Sequence, residues 1–487
     1  MNPSPKRLAD LLQAADLPAA GATGGHCWVT GVSDDSRRVQ PGDLFVAVPG
    51  ATDRSSEHAR HAASRGAAVV LAQSSLEVGL PTVVVTDARR ALAAVAAAFY
   101  DRPTTKLFTI GVTGTNGKTT VCRFIAQLFG ERRTARIDTV TNAATDPLAL
   151  TTPTSPTIQH VAWQAVQDGK THLVVEASSA GLAQHRLDQV AFDVAVFTNL
   201  SYDHMDVHPT WSEYVRAKVS LFERLPPSGL AVVNRDDPEA DAFRRATRAR
   251  VATFGFAEDA DVTARCVRAS ARSTDFVLGY RRKSTAVVLP IPGPFVVASV
   301  LAAACTALSC DLSWDEVVSR LPELRAPAGR VKRFTRIGGP DAVVDFAHNP
   351  DGLDQVLRWL RATYPRVTVV FGCPGDADRE KRMRMGSVAS EWADAIVVTS
   401  DNPKRENPEA IARDILKGIE SRSVSVELDR RAAVAAAVRQ TPSAGVVLLA
   451  GKGHEVVQRV GDRATPYSDE DTLRALGYTE DVGEATA

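Results

Sequence analysis

The chain has 487 residues, 44% hydrophobic and 23% charged, with Lys plus Arg and Asp plus Glu balanced at 57 each. Its length suggests about three domains, its composition is that of a globular chain with ample material for large cores, and its balanced charge argues against nucleic acid as the main partner, because phosphate backbones are bound by an excess of basic surface. Six scattered cysteines without a Cys-x-x-Cys pair argue against a disulfide framework and for a reducing cytosol; Met1 to Leu17 has no apolar signal segment.

Three blocks follow in chain order. The first, residues 1–103, carries short β-like runs at Leu44 to Val48, Ala68 to Leu71 and Thr82 to Val85, and an Ala-rich helix near Arg90 to Phe99. The second, residues 104–330, opens on the strand Leu107 to Val112. A Gly-rich turn comes next, then a helix with Val121, Phe124, Ile125, Leu128 and Phe129 at helical spacing. Leu173 to Val175 and Val194 to Phe197 read as buried parallel strands. The longest apolar run, Phe295 to Leu308, falls short of the ~20 residues that span a bilayer and reads as a buried helix. No membrane partner is expected.

The third block, residues 331–487, has strands at Ala342 to Phe346, Val367 to Phe371, Ala395 to Thr399 and Val446 to Ala450. Helices alternate with them, one striped by Leu353, Val356, Leu357 and Leu360. Strand–helix alternation in both large blocks predicts an α/β protein of three domains: a smaller N-terminal α/β domain, a central phosphate-loop sheet with helices on both faces, and a C-terminal Rossmann-like domain. Gly483 to Ala487 reads as a disordered tail.

Strand, Gly-rich turn, Lys-Thr and helix together make a phosphate site. Glycines let backbone N–H groups approach the oxygens, and the helix N-terminus adds partial positive charge. Here the turn is Gly114-Thr115-Asn116-Gly117-Lys118-Thr119-Thr120, with Val112 where a full phosphate-loop pattern has its first Gly. Lys118 is expected at the terminal phosphates, and a Thr119 or Thr120 hydroxyl on Mg²⁺.

This run resembles the phosphate loop of the Mur ligases and folylpolyglutamate synthetases. Ser33 to Arg38, Gly42 to Ala47, Thr151-Thr152-Pro153, Glu176 to Ser179, Gln184 to Arg186 and Thr198 to Ser201 are similar to Mur ligase segments of the tripeptide-synthetase branch. So are Asp203 to Asp206, Asp401-Asn402-Pro403 and Gly451 to Glu455, all in the same order.

The resemblance implies a two-step reaction: a carboxylate takes the ATP γ-phosphoryl group to give an acyl phosphate and ADP, and an amine then displaces phosphate. It implies Lys118, Glu176, His204 and Lys218 as the catalytic set. Mg²⁺ is expected on Thr119, Glu176, His204 and Lys218, the last carried as a carbamate. ATP is expected on the loop and on Arg330, Asp345 and His348. The implied carboxylate substrate is UDP-N-acetylmuramoyl-L-alanyl-D-glutamate, touched by Ser36, Thr151, Thr152, Ser178, Gln184 and Arg186. The amine, probed by Arg382, Asp401, Asn402, Lys404, Gly451 and Glu455, is expected to be meso-diaminopimelate. Lys404 keeps the charge of the family's Arg without its planar fork, which Arg382 and Arg405 are expected to supply. A cytoplasmic monomer completes the expectation.

The chain also departs from the family pattern. Ala180 replaces a His, Tyr202 an Arg, and Val296 and Ser299 the two asparagines that help recognise adenine. Pro374 to Arg382 and Ile137 to Ala144 have lost glycines. Two other readings accommodate these departures: a divergent amide synthetase of specialised metabolism, and a nucleotide-binding module without catalysis. The intact Lys118, Glu176, His204 and Lys218 speak against the second.

Overall fold

A computed structural model describes residues 3–18, 27–50, 54–146, 150–420 and 423–481. The tail from Gly483 lies outside them. The N-terminal block is a four-stranded parallel sheet of Gly31–Ser33, Asp43–Val46, Val69–Ala72 and Thr82–Val84, paired in chain order. Helix Ala88–Phe99 closes one face. Asp87 caps it, accepting from the N–H groups of Arg89 and Arg90, which satisfies two donors the helix itself leaves unpaired.

The central sheet has nine strands. In spatial order they are Lys283–Leu289, Thr274–Tyr280, Val262–Ala269, Arg250–Gly255, Leu230–Asn234, Val194–Phe197, Phe108–Thr113, His172–Glu176 and Thr134–Ile137. Pairing is parallel from Val262–Ala269 to Thr134–Ile137 and antiparallel among the three strands at the other edge. This antiparallel extension was not anticipated from the sequence.

Phe108–Thr113 sits between strands reached by opposite crossovers, so the carboxyl ends of Phe108–Thr113, His172–Glu176 and Val194–Phe197 meet at a topological switch point, where α/β sheets bind ligands. Helices Lys118–Phe129 and Val296–Ser309 share one apolar core with Ile110, Val112, Val174 and Val196. The run from Phe295 is thus a buried helix, and among the described residues no helix is long and apolar enough to cross a membrane. On the opposite face Gly111 lets Phe192 and Leu221 close in; a Cβ there would lie 2.8 Å from the Phe192 ring.

The C-terminal sheet runs Ser423–Val426, Ala395–Val398, Val367–Phe371, Val446–Ala450, Asp341–Asp345, Lys332–Thr335 and Thr479–Glu480, the first five parallel. The stripe of Leu353, Val356, Leu357 and Leu360 is buried on helix Pro350–Thr363. The two large sheets face each other across a cleft, with the phosphate loop on one wall.

Candidate active site

The loop owes its shape to two glycines. Gly114 has φ +147°, and a Cβ there would lie 1.9 Å from Thr198 Oγ1; Gly117, at φ +82°, precedes the helix Lys118–Phe129. Thr115 N–H donates to Asn199 O at 2.8 Å and Asn116 N–H to Asn199 Oδ1 at 2.9 Å, so the turn is tied to the neighbouring strand end. The first-turn N–H groups of a helix have no intrahelical acceptor, and at this end Gly117 and Thr120 line the cleft.

Two lysines converge here. Lys118 donates from Nζ to Thr115 O at 2.8 Å; the residue is half-buried, and burial lowers its pKa. Lys218, on helix Trp211–Glu223, is 1% exposed. Its Nζ donates to Gly114 O at 2.6 Å and lies 4.5 Å from the Tyr214 ring centre. Burial first, then the nearby Lys118 charge, pushes its pKa well below that of a free lysine. An amphipathic-helix lysine is usually solvated; here tertiary packing overrides that.

Glu176, 2% exposed, ends its strand beneath the loop. Its Oε2 accepts from Thr119 Oγ1 at 2.9 Å and from both the N–H and the Oγ1 of Thr139 at 3.0 Å. Thr139 was not singled out from the sequence. Thr152 Oγ1 donates to Glu176 O at 2.6 Å and accepts from Ser178 N–H at 2.9 Å, while Thr151 Oγ1 lies 3.2 Å from Thr139 Oγ1, whose one proton goes to Glu176. Thr152 therefore bonds the backbone of Glu176, with Ser178 on Thr152 and Thr151 on Thr139, while the carboxylate itself is held by Thr119 and Thr139.

His204 stands at the cleft with φ +59° and a side chain 44% exposed. Desolvation first, with Lys218 and Lys118 adding, lowers its pKa to about 3, so the imidazole is neutral and able to ligate. Among the described residues no three His, Cys, Asp or Glu side chains form a ready metal cluster. The donors present are one carboxylate, the Thr119 hydroxyl and a neutral imidazole. That set suits Mg²⁺ shared with phosphates, which takes one or two carboxylates and keeps waters.

A cavity of about 820 Å³ runs from Gly117 and Thr120 to Arg330, Asp345, Phe295 and Ser299. Arg330 stacks 4.7 Å from the Phe346 ring centre. Asp345 ends its strand, its two oxygens accepting from Val331 N–H and Ala347 N–H at 2.8 Å each. His348 shares a 2.8 Å hydrogen bond between Nδ1 and Phe346 O, and desolvation lowers its pKa to about 4. Val296 and Ser299, in place of asparagines, lie in the same wall.

The two walls are joined through Asp203 and Asn349, neither assigned a role from the sequence. Asn349 Nδ2 donates to Asp203 Oδ2 and to Asn116 Oδ1, both at 3.0 Å, and Asn116 Nδ2 donates to Asp351 Oδ2 at 2.7 Å. Lys381 Nζ is 3.9 Å from Asp203. Pairs separated by 146 and 233 residues have no local sequence signal.

On the N-terminal side, Ser36 is buried and shares a 3.1 Å hydrogen bond with His61 Nδ1. Arg186 donates to Thr152 O at 2.7 Å and to Gln184 Oε1 at 2.6 Å.

At the other end, Lys452 is fully buried, 2.8 Å from Glu455 Oε2, 3.1 Å from Asn402 Oδ1 and 3.4 Å from Asp401 Oδ1. Asn402 Nδ2 donates to Glu455 Oε2 at 2.7 Å. At Gly451, φ +103°, a Cβ would lie 2.6 Å from Asp401 Oδ2. Lys404 has φ +51° and is half-buried; its N–H donates to Arg459 O at 3.1 Å. Arg382, expected at the amine, is 1% exposed and forked onto Glu406 at 2.9 and 3.0 Å and Asp414 at 3.2 Å, so its guanidinium already has carboxylate partners within the protein. Arg405 is exposed, 4.0 Å from Asp462.

Comparison with known proteins places this arrangement. Residues 112–307 match the Mur ligase middle domain and residues 329–453 the Mur ligase, glutamate ligase domain. The UDP-N-acetylmuramoyl-L-alanyl-D-glutamate–2,6-diaminopimelate ligase of Geobacillus kaustophilus is 39% identical, over 93% of this chain and 95% of its own length. The enzyme of the same name from Chlamydia abortus is 38% identical, over 91% and 94%. A solved structure of a ligase of that name superposes with TM-score 0.64 at 30% identity, covering 96% of this chain and 98% of its own. MurF from Acinetobacter baumannii shares the fold alone, with TM-score 0.71 at 20% identity over 98% and 99%.

Proposed function

The chain belongs to the Mur ligase family of ATP-dependent, ADP-forming ligases, and from that premise we propose that it joins meso-diaminopimelate to UDP-N-acetylmuramoyl-L-alanyl-D-glutamate through an acyl phosphate. The Geobacillus and Chlamydia relatives and the 30%-identical solved structure are named as ligases of UDP-N-acetylmuramoyl-L-alanyl-D-glutamate and 2,6-diaminopimelate. The observation that carries the reading for this chain is the convergence of Lys118, Lys218, Glu176 and the open first turn of Lys118–Phe129 at one sheet edge. In this proposal residues 1–103 hold the UDP end, 104–330 the ATP, and 331–487 the amine, in a monomer of the cytosol.

Two cations that form no ion pair among the described residues suit a γ-phosphoryl group in transfer, because fixed charge in a water-poor cleft stabilises the anion that develops there. Lys118 would lie along the β- and γ-phosphates, with helix N–H groups completing the cradle. Arg330 and Asp345 would meet the nucleotide from the opposite wall.

Lys218 is the group we assign as a carbamate. Its buried, deprotonation-prone amine can attack CO₂, forming an N–C bond and releasing one proton, and the product is an anion in place of a cation. That supplies the second carboxylate the donor set lacks. Mg²⁺ held by Thr119, Glu176, His204 and the carbamate would neutralise phosphate charge.

The test is purified protein with ATP, Mg²⁺ and the UDP-muramoyl dipeptide against a panel of amines, reading ADP release and product mass. A product bearing diaminopimelate is expected. ADP release indifferent to the amine, or an amide on another acid, would remove the assignment.

A further inference from the structure

Lys381 and Arg382 are neighbours in the first turn of helix Glu380–Trp392, 5% and 1% exposed, and the fold treats them in opposite ways. Arg382 is bonded by Glu406 and Asp414. Among the described residues Lys381 donates no hydrogen bond. Its one ion-pair partner among them, Asp203 of the central domain, has Oδ1 3.9 Å from Nζ, outside hydrogen-bond length. That carboxylate is already engaged: Oδ1 accepts from His204 N–H and Oδ2 from Asn349 Nδ2, both at 3.0 Å. An ammonium carries three donors, and leaving them buried without an acceptor is costly unless a ligand supplies one.

Asp203 fixes where that ammonium stands. Asn349 Nδ2 bonds both Asp203 and Asn116 of the phosphate loop, at 3.0 Å each, so a single side chain separates Asp203 from the loop. His348 Nε2 lies 3.8 Å and His204 Nε2 3.9 Å from Asp203 Oδ2. The Asp203 charge also reaches Lys118 and Lys218, opposing in both the lowering of pKa by burial. Two lysines of the central domain and one of the C-terminal domain therefore gather about the same acid. Lys381 stands at the phosphate end of the cleft, on the wall opposite Lys118.

We propose that Lys381 is a further catalytic residue, donating to the γ-phosphoryl oxygens of ATP and, after transfer, to the same oxygens of the acyl phosphate. This role rests on the ligase reading above. In the first step a carboxylate oxygen bonds the γ-phosphorus, and the P–O bond to ADP breaks with its electron pair on ADP. In the second the amine nitrogen bonds the acyl carbon, and the C–O bond to phosphate breaks with its pair on the phosphate. The proton shed by nitrogen goes to that phosphate, which leaves as hydrogen phosphate. Lys381 meets the same three oxygens throughout, from the side that Lys118 does not cover. Loss of one charge-assisted hydrogen bond weakens binding by about tenfold to a hundredfold, and loss of a donor aimed at charge in transfer lowers kcat by about a hundredfold or more.

The test is calorimetry, with Mg²⁺, of ADP and of an ATP analogue carrying an imido bridge between the β- and γ-phosphorus. It uses the full chain as wild type, Lys381→Met and Lys381→Arg, with kcat and the KM for the amine read alongside. Lys381→Met should bind the analogue more weakly by the binding factor above, with ADP binding unmoved, and kcat should fall by the larger factor while the KM for the amine stays put. Lys381→Arg should recover part of both losses. The melting temperature of Lys381→Met should hold or rise, since no hydrogen bond is lost. Undiminished analogue binding overturns the role. So does an equal loss for ADP and the analogue, the mark of a mere strut between domains. A raised KM for the amine with analogue binding intact puts the ammonium on a carboxylate of the amine and overturns the phosphoryl reading. Should Lys381→Met not fold, Lys381→Gln, which keeps a neutral donor, is read by the same comparisons. A wild-type protein that binds neither ADP nor the analogue fails the ligase reading itself, and the role of Lys381 with it.

Discussion

The two ends of the cleft treat their cations differently. At the phosphate end Lys118, Lys218 and Arg330 are held by backbone carbonyls and aromatic rings, and among the described residues none forms an ion pair. At the amine end Arg382 is matched by Glu406 and Asp414, and Lys452 by Glu455 and Asp401. A buried charge without a partner is unstable unless a ligand supplies one. Unpaired cations therefore mark where an anion binds, and paired cations mark where the protein supports itself. The same distinction separates Lys404, half-buried and without an ion pair among the described residues, from its paired neighbours.

The most severe challenge to that distinction is Lys118→Ala. Removing a charge aimed at the transferring phosphoryl group should cost at least about a hundredfold to a thousandfold in kcat. Because the ammonium bonds only one carbonyl, its loss should leave the melting temperature unchanged or raise it. Near-normal turnover, or a collapse of stability, would show that an unpaired cation here does not signal a ligand.

Lys218→Ala comes next. The variant should be nearly inactive, and short carboxylic acids should restore part of the rate by supplying the missing anion. The sign of the pH effect follows from its lowered pKa. In the window between that lowered value and the free-lysine value of 10.5 the unfolded chain binds more protons than the folded one, so this residue makes stability rise with pH there. The carbamate, which needs the neutral amine, should also form more readily as pH rises, and bicarbonate should stimulate a freshly decarbonated enzyme. Full activity in Lys218→Ala, or acids without effect, would reduce this lysine to a packing residue.

Arg382→Ala probes the opposite class. Breaking a buried forked pair typically costs about 3–5 kcal/mol, because Glu406 and Asp414 lose their counter-charge. A large drop in melting temperature is expected, with a modest change in the KM for the amine in the protein that remains folded. A large KM effect at unchanged stability would return Arg382 to the amine pocket.

These contrasts also explain what the sequence revealed. The strand Phe108–Thr113, the glycine turn and the stripe on Lys118–Phe129 were legible because each is a local pattern, as was the buried helix Val296–Ser309. The three antiparallel strands from Val262 to Leu289 were not, since exposed Arg265, Asp275, Lys283 and Ser284 interrupt their apolar faces. Lys218 and Arg382 sit on helices where charged residues are ordinarily solvated. Only packing across the domain decides that one lies under the phosphate loop and the other under Glu406. Asp203 and Asn349 close the cleft through bonds between distant segments, which no window of sequence contains.

The smallest expected effect belongs to Lys404, and it carries the choice of amine. Its backbone is fixed by the Lys404 N–H to Arg459 O bond and by Gly461 N–H donating to Lys404 O at 2.6 Å, with φ +51° turning the side chain out of the regular path. Asn402 and Lys452 hold Glu455 in the same neighbourhood, and burial raises the Glu455 pKa. One unpaired ammonium beside one carboxyl group fits a zwitterionic distal end, as in diaminopimelate, better than the lone ammonium of lysine. Lys404→Ala should raise the KM for the amine by about tenfold, the scale of one charge-assisted hydrogen bond, and leave that for ATP nearly unchanged. Lys404→Arg, which offers a planar fork to the carboxylate, should tighten the amine site. Should wild-type enzyme prefer lysine, or should Lys404→Ala move both KM values together, the cation at 404 would not be reading a distal carboxylate.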